Sequence, residues 1–225
     1  MTYAGRLDPM ASGVLIVLAG EEVKNKEKYL ALDKEYDFSV LFGFGTDTYD
    51  VLGKIISDSF YSVEMRGAER CMGVAFAAKI RENLKYLKGK LRQKYPIYSS
   101  KTVNGRPLFS YARNGEEVEI PEREIFIKKL ELKKIRKISD ENLFKNIEKR
   151  IEKVEGDFRQ KGILKLWRRK LSNKKVSQSF YVVDFKIKCG SGTYVRAIAQ
   201  SLGEKVGIPA LALSIKRTKI GKFAV

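Results

Sequence analysis

The chain has 225 residues, 44% of them hydrophobic, and carries 45 Lys and Arg against 27 Asp and Glu, a formal net charge of +18. That apolar content supports a buried core and excludes a disordered chain, while the surplus positive charge points to a polyanionic partner. With no histidine and only Cys71 and Cys189, both read as buried thiols, the sequence excludes a Ser-His-Asp triad, a Cys-His dyad, histidine-ligated metals and a disulfide framework.

The apolar runs fall far short of a bilayer span and no signal-peptide pattern opens the chain, so no membrane contact and a cytoplasmic location are expected. No P-loop and no dinucleotide fingerprint occurs, which leaves carboxylates, Tyr, Lys and Arg to carry any chemistry.

The opening stretch Ala4-Gly5-Arg6-Leu7-Asp8-Pro9-Met10-Ala11-Ser12-Gly13 places one carboxylate between a glycine and a proline, ahead of the apolar run Val14 to Ala19. Pro9 fixes its own φ and pushes Asp8 toward an extended conformation, so Asp8 is predicted on a stiff loop feeding a strand. By itself this is also common turn chemistry. Glu21 to Asp33 is polar and reads as helical or irregular, and Lys34 to Gly43 alternates as a strand. Gly45 to Gly53 follows as a turn rich in hydroxyls and carboxylates, without the ligand count of a calcium loop.

Ser62 to Leu87 carries Met65, Ala68, Met72, Phe76, Ile80, Leu84 and Leu87 on one helical face, with Ser62 as N-cap and Gly89 as stop. Tyr95 to Gly105 is a polar loop mixing aromatic and basic residues, and Leu108 to Gly115 a short helix. Arg123 to Lys137 reads as a basic strand. With Ser139 to Lys175 it holds nineteen basic and eight acidic residues, +11 of the +18.

Leu143, Ile147, Ile151, Val154 and Phe158 step along one face of an amphipathic helix, and Glu141 and Lys145 form an i,i+4 pair. Gly162 is expected to break that helix before Leu164 to Lys170. Two readings of this segment stand level: a solvated charged helix docked by its apolar stripe, or an arm gripping phosphates through residues such as Arg168, Arg169 and Lys170. Phe180 to Cys189 alternates as a strand, and Gly190-Ser191-Gly192 precedes Thr193, the expected N-cap of a helix ending at Gly207.

Four stretches resemble one family. Gly5 to Leu15 is similar to the catalytic-aspartate motif of the TruB-type tRNA pseudouridine-55 synthase family. Lys34-Glu35-Tyr36 with Gly43 to Gly53 matches its Lys-x-Tyr strand and Gly-x-x-Thr-Asp-Thr-x-Asp-x-x-Gly turn. Tyr95 to Gly105 resembles its Pro-x-Tyr-Ser-Ala-x-Lys segment, with Thr102 at the lysine position and Lys101 one place earlier. Cys189 to Arg196 matches Cys-x-x-Gly-Thr-Tyr-x-Arg.

The resemblance implies an α/β (α+β) pseudouridine synthase fold: a mixed, mostly antiparallel sheet with flanking helices, here one catalytic domain over residues 1–225. The basic helices at about 139–177 stand where the family crosses by a short connection, and so form an inserted hairpin. It implies uridine isomerisation in the T-arm of tRNA, with no cofactor, no metal and a monomeric enzyme. Asp8 takes the role of nucleophile or charge stabiliser, Arg196 pairs with it, and Tyr36 stacks on the base and assists proton transfer. Tyr3, Arg6, Lys34, Thr46, Asp47, Tyr98, Ser99, Lys101, Thr193 and Tyr194 are the implied substrate contacts. Tyr3 stands where many members have His, and Arg6 where many have Thr.

The family's N-terminal strand-helix segment and its PUA domain have no counterpart between Met1 and Val225, so a shortened enzyme is expected. A non-catalytic RNA-binding module of the same descent, or a synthase for ribosomal RNA, are the alternatives.

Overall fold

The structure, a computed structural model, describes residues 1–58, 69–172 and 178–225, without the side chains of residues 69–72. In chain order the elements are β1 (Thr2–Ala4), β2 (Ser12–Gly13), β3 (Ile16–Leu18), α1 (Lys26–Ala31), β4 (Lys34–Phe42), β5 (Phe44–Thr46), β6 (Ile55–Asp58) and α2 (Glu69–Asn83). Then come β7 (Gly89–Lys94), β8 (Thr102–Val103), β9 (Arg106–Pro107), α3 (Leu108–Asn114), β10 (Glu122–Ser139), α4 (Asp140–Ile151) and α5 (Gln160–Ser172). The last elements are β11 (Ser179–Cys189), α6 (Val195–Val206), β12 (Ala210–Ile220) and β13 (Phe223–Ala224).

Among the described residues one seven-stranded sheet runs β13-β12-β4-β11-β10-β7, with β2 beside β12. The β2–β12 pairing is parallel and the other ladders of this sheet are antiparallel. This is the mixed, mostly antiparallel sheet with flanking helices that the sequence implies.

The central strands serve two cores over part of their length, where alternation sorts apolar side chains between the two faces, while Asp37, Lys186 and Lys188 alternate out toward water. Phe38, Val40 and Phe42 of β4 join Val183, Phe185 and Ile187 of β11 on the face covered by α2 and α6. Leu41, Val182, Leu211 and Leu213 point the other way, toward α4 and α5. A bulge between Ala212 and Ser214 then returns Ile215 to the first face.

The expected helix over Ser62–Leu87 is present as α2 followed by a tighter 3-10 turn over Leu84–Leu87, with Phe76, Ile80, Leu84 and Leu87 buried. The expected N-cap Ser62, with Met65 and Ala68, lies outside the described residues, as do the side chains of Cys71 and Met72.

The basic segment departs from expectation in two places. The helix beginning after the N-cap Ser139 ends at Ile151, and Gly162 sits inside α5 rather than breaking a helix. The break falls at Glu152–Arg159, where Gly156 and Arg159 both take positive φ, at 94° and 64°. Val154 and Phe158 nevertheless continue the apolar series, because the connection still packs on the same core.

That core decides between docked helix and free arm. Leu143, Ile147 and Ile151 of α4 and Ile163, Trp167 and Leu171 of α5 are all buried against the sheet. Trp167 is fully buried, meets Phe44 edge-on at 5.0 Å, and donates its indole N–H to the Val51 carbonyl at 3.0 Å. The hairpin is docked, and it is the second layer of the fold. The Glu141–Lys145 pair forms on its exposed face at 2.6 Å.

Trp167→Ala is therefore expected to lower unfolding free energy by roughly 3–5 kcal/mol, from lost packing and the orphaned Val51 carbonyl. Glu141→Gln should change it by no more than ~0.5 kcal/mol. Urea titration of both variants measures the contrast.

Candidate active site

Asp8 leads the turn Asp8-Pro9-Met10-Ala11, closed by Ala11 N–H donating to the Asp8 carbonyl at 2.8 Å. The loop is then laid against β12. Ser12 and Gly13 pair with Lys216 and Arg217, and Val14 N–H donates to the Arg217 carbonyl at 2.9 Å. Gly13 is required there: its φ is 107°, and a Cβ would stand 2.1 Å from the Arg217 oxygen.

The Arg217 side chain, 2% exposed, turns back under the loop. Nε donates to the Val14 carbonyl at 2.7 Å and a terminal N–H to the Gly5 carbonyl at 3.0 Å. It also lies against the Tyr36 phenol.

Arg196, near the start of α6 and 3% exposed, is the junction of the site. Its Nε donates to Asp8 Oδ2 at 3.1 Å, and its two terminal nitrogens to the Thr48 and Tyr98 carbonyls, each at 2.9 Å. One planar fork thus ties together the Asp loop, the Thr-Asp-Thr turn and the Tyr98 segment. Burial works against its charge, but Asp8 and then Asp50 outweigh that cost and its pKa is raised.

Asp50 is buried and accepts from the Thr48 hydroxyl at 2.6 Å and from Leu52 N–H at 3.0 Å. Burial pushes its carboxyl up to about 6, against the pull of Arg196. Gly53 lets the turn close on itself, since a Cβ would meet Thr48 Oγ1 at 2.5 Å and Asp47 Oδ1 at 2.6 Å.

Tyr36, 9% exposed, stands on β4 within the field of Asp8 and Arg217. Burial pushes its phenol up to about 12, so at neutral pH it is a proton-bearing aromatic surface and not a phenolate. Tyr194 precedes α6 with both its backbone groups clasped by Gln93, at 2.9 and 3.2 Å. Its ring meets Tyr95 edge-on at 5.7 Å and lies under Arg196, while the Ser99 hydroxyl is beside its phenol. Lys101 sits over the Tyr95 ring at 5.5 Å. Asp47 and Tyr98 meet at Arg159, described below.

Other expected positions fall differently. Lys34 is 6% exposed with its ammonium on the Leu30 and Leu32 carbonyls, the latter at 2.6 Å, so it closes the corner between α1 and β4. Thr46 is buried, its hydroxyl on the Asp50 carbonyl at 2.6 Å. Thr193 is not the N-cap of α6. That position is Tyr194, and the Thr193 hydroxyl bonds back to the Gly190 carbonyl at 3.1 Å. Tyr3 and Arg6 are exposed and paired, with Arg6 Nε on the phenol at 2.7 Å. Arg168 and Lys170 are drawn into ion pairs with Glu148 and Asp58, whereas Arg169 is exposed on α5.

Arg217, Asp50, Gln93 and Arg159 were not among the expected site residues. A signal for Arg217 lies in strand alternation, which puts it two places from inward-facing Ile215. Asp50 lies inside the quoted turn motif, and nothing in the sequence singles out Gln93 or Arg159.

Among the described residues no group of three or more His, Cys, Asp or Glu side chains is arranged to hold a metal ion, and no helix is long and apolar enough to cross a membrane. What the arrangement offers is one carboxylate aimed by a buried guanidinium beside a neutral aromatic face.

Comparisons with known proteins bear on the fold and the family. A solved Cbf5–Nop10–Gar1 complex superposes with a TM-score of 0.51 at 17% identity, over 99% of this chain and 41% of the other. The two share a fold. The sequence profile of the TruB family pseudouridylate synthase (N terminal domain) matches residues 1–156. The tRNA pseudouridine synthase B of Lactobacillus acidophilus is 31% identical over 99% of this chain and 60% of its own length. That of Caldicellulosiruptor saccharolyticus is 28% identical over 99% and 58%. The chain belongs to the TruB family. It spans about three fifths of the length of these two relatives.

Asp50 sets a pH dependence with a definite sign. Its folded pKa, about 6, lies above the unfolded carboxylate value, so between these values the folded state binds more protons. Stability from this group is greatest below about pH 4 and is lost as pH rises through about 6, with a slope of at most about 1.4 kcal/mol per pH unit. Asp50→Asn is expected to remove that slope in urea titrations between pH 4 and 7.

Proposed function

We propose that this chain isomerises a uridine in the T-loop of tRNA to pseudouridine, with Asp8, Arg196 and Tyr36 as the catalytic residues and no cofactor. The observation that carries the reading is the Asp8–Arg196 contact at 3.1 Å, made between two of the stretches that resemble the family. Relatives named tRNA pseudouridine synthase B, aligned over nearly the whole chain, support tRNA as the substrate. The enzyme acts as a cytoplasmic monomer, with residues 1–225 as one catalytic domain and α4–α5 as an insertion in it.

The target uridine leaves its stack at a cost of a few kcal/mol and enters the cleft over Tyr36. The Asp8 carboxylate engages the sugar or base as the glycosidic bond breaks, the base turns, and its C5 joins the sugar carbon. The proton on C5 is then released, the freed N1 takes up a proton and the Asp8 carboxylate is regenerated, so atoms balance without redox or group transfer. Arg196 holds the carboxylate at one angle throughout, because two of its arms are committed to backbone carbonyls. The Tyr36 phenol, neutral with its pKa near 12, supports the base by its ring and hydroxyl. Tyr194 and Tyr95, with Lys101 above the Tyr95 ring, offer stacking surface and positive charge to neighbouring nucleotides.

Asp8→Asn keeps size but removes the charge, and is expected to abolish single-turnover pseudouridine formation on an unmodified tRNA transcript while tRNA affinity stays within about twofold, since affinity comes mainly from phosphate contacts. Arg196→Lys should lower the rate by at least about tenfold, because a point charge cannot serve one carboxylate and two carbonyls together. Tyr36→Phe should retain most turnover if the ring alone is needed. Wild-type yield from Asp8→Asn would remove the assignment. Binding without product from the unmutated chain would favour a non-catalytic RNA-binding module.

Arg169→Glu tests the basic hairpin separately. One lost phosphate contact should flatten the slope of log affinity against log salt by roughly one.

A further inference from the structure

The connection between α4 and α5 brings one side chain of the hairpin to the cleft. Arg159 takes φ 64°, a left-handed conformation that is uncommon for a residue other than glycine. Its N–H donates to Asp157 Oδ1 at 3.3 Å, and its carbonyl accepts Ile163 N–H at 3.0 Å as α5 begins. Gln160 binds the preceding turn through the Val154 carbonyl at 3.0 Å and Phe158 N–H at 2.9 Å. Arg113 of α3 donates to the Asp157 carbonyl at 3.2 Å from the other side. The connection is fixed at both ends, and α5 is itself fixed by Trp167.

From this mount the guanidinium makes three contacts. One terminal nitrogen donates to Asp47 Oδ2 at 3.2 Å and to the Tyr98 hydroxyl at 3.0 Å, and the group lies 4.6 Å from the centre of the Tyr98 ring. The Arg159 side chain is 29% exposed and that of Asp47 19%, so the pair is screened from most solvent. Asp47 is also pinned by Lys54 N–H at 2.8 Å.

These two partners have a shared property. The Tyr98 carbonyl takes one arm of Arg196, and Thr48, next to Asp47, takes another. Arg159 therefore holds, from outside, both segments whose carbonyls orient Arg196 from inside.

We propose that Arg159 is a positioning residue for the reaction: by bridging Asp47 and Tyr98 it fixes the Thr48 and Tyr98 carbonyls, hence the angle of Arg196 and of the Asp8 carboxylate. This rests on the pseudouridine synthase reading above, and it gives the α4–α5 hairpin a part in turnover distinct from phosphate binding. A partly exposed ion pair adds little to global stability, whereas a small misalignment of a catalytic group slows chemistry strongly. The effect belongs in the chemical step, not in melting temperature or tRNA affinity.

The test is a double-variant cycle with Arg159→Ala and Tyr98→Phe, read as single-turnover pseudouridine formation at saturating enzyme, with tRNA affinity measured separately. Arg159→Ala should slow the chemical step about tenfold with affinity within about twofold, and adding Tyr98→Phe should slow it little further, since both remove the same bridge. Arg159→Lys, which keeps the Asp47 pair but not the stacked fork, should fall between, and carries the comparison should the alanine variant fold poorly.

An unchanged rate in both Arg159 variants would overturn the proposal, as would losses that multiply in the double variant. A loss confined to affinity would overturn it in favour of a phosphate contact. No product from the unmutated chain would remove the parent reading and this one with it. Product from the unmutated chain alongside an indifferent Arg159 would remove this one alone.

Discussion

A buried guanidinium with three separate obligations governs the geometry of this protein's candidate site. Taking Arg196 out of water is costly, and the structure offsets that cost with one carboxylate in direct contact, a second nearby, and two backbone carbonyls in line with the remaining arms. The three groups it bonds directly come from three different segments, so none can shift without leaving a buried charge underserved. The same economy explains Asp50, which touches no cleft surface yet balances Arg196 while shaping the Thr48 turn. A rigid fork fits this arrangement and an ammonium does not.

The sheet behind the site is a two-sided partition. On one face α2 and α6 cover the core and α6 carries Arg196, and on the other α4 and α5 close the core around Trp167 and Phe44. Charge and packing thus coexist in the basic hairpin: its apolar stripe is spent on the core, part of its charge on Glu148 and Asp58, and Arg159 on the site. A count of lysines and arginines cannot separate these uses, because formal charge carries no record of which side chains are already paired.

The strands were legible because period-two alternation survives at Lys34 to Phe42 and Phe180 to Cys189. The α4 helix was legible from its four-residue steps, but its end was not. Val154 and Phe158 keep the helical spacing while the backbone has already turned, since packing selects side-chain positions and not the path between them. Thr193 illustrates a similar limit. A hydroxyl at a helix start predicts a cap, yet α6 starts one residue later, at a Tyr194 held by Gln93 from 101 residues away, and the Thr193 hydroxyl turns back to Gly190. Asp8 and Arg196 stand 188 residues apart, so their pairing was visible only through resemblance to a family, never through local pattern. Arg217 shows the converse, since alternation along β12 places it facing inward even where no motif marks it.

The clasp of Arg217 on the Asp loop also sets an order of assembly. Its two bonds join positions 203 and 212 residues apart, and closing a loop of that length costs roughly 5 kcal/mol of chain entropy before any contact rewards it. Residues 5 to 14 are synthesised long before strand β12, and they gain the Arg217 clasp only once that strand is made and docked. The basic stretch from Arg123 to Lys175 is synthesised well before that moment. A nascent or prematurely stopped chain therefore carries the positive charge of that stretch before the Asp loop has its clasp, and the geometry of the loop waits on a single arginine.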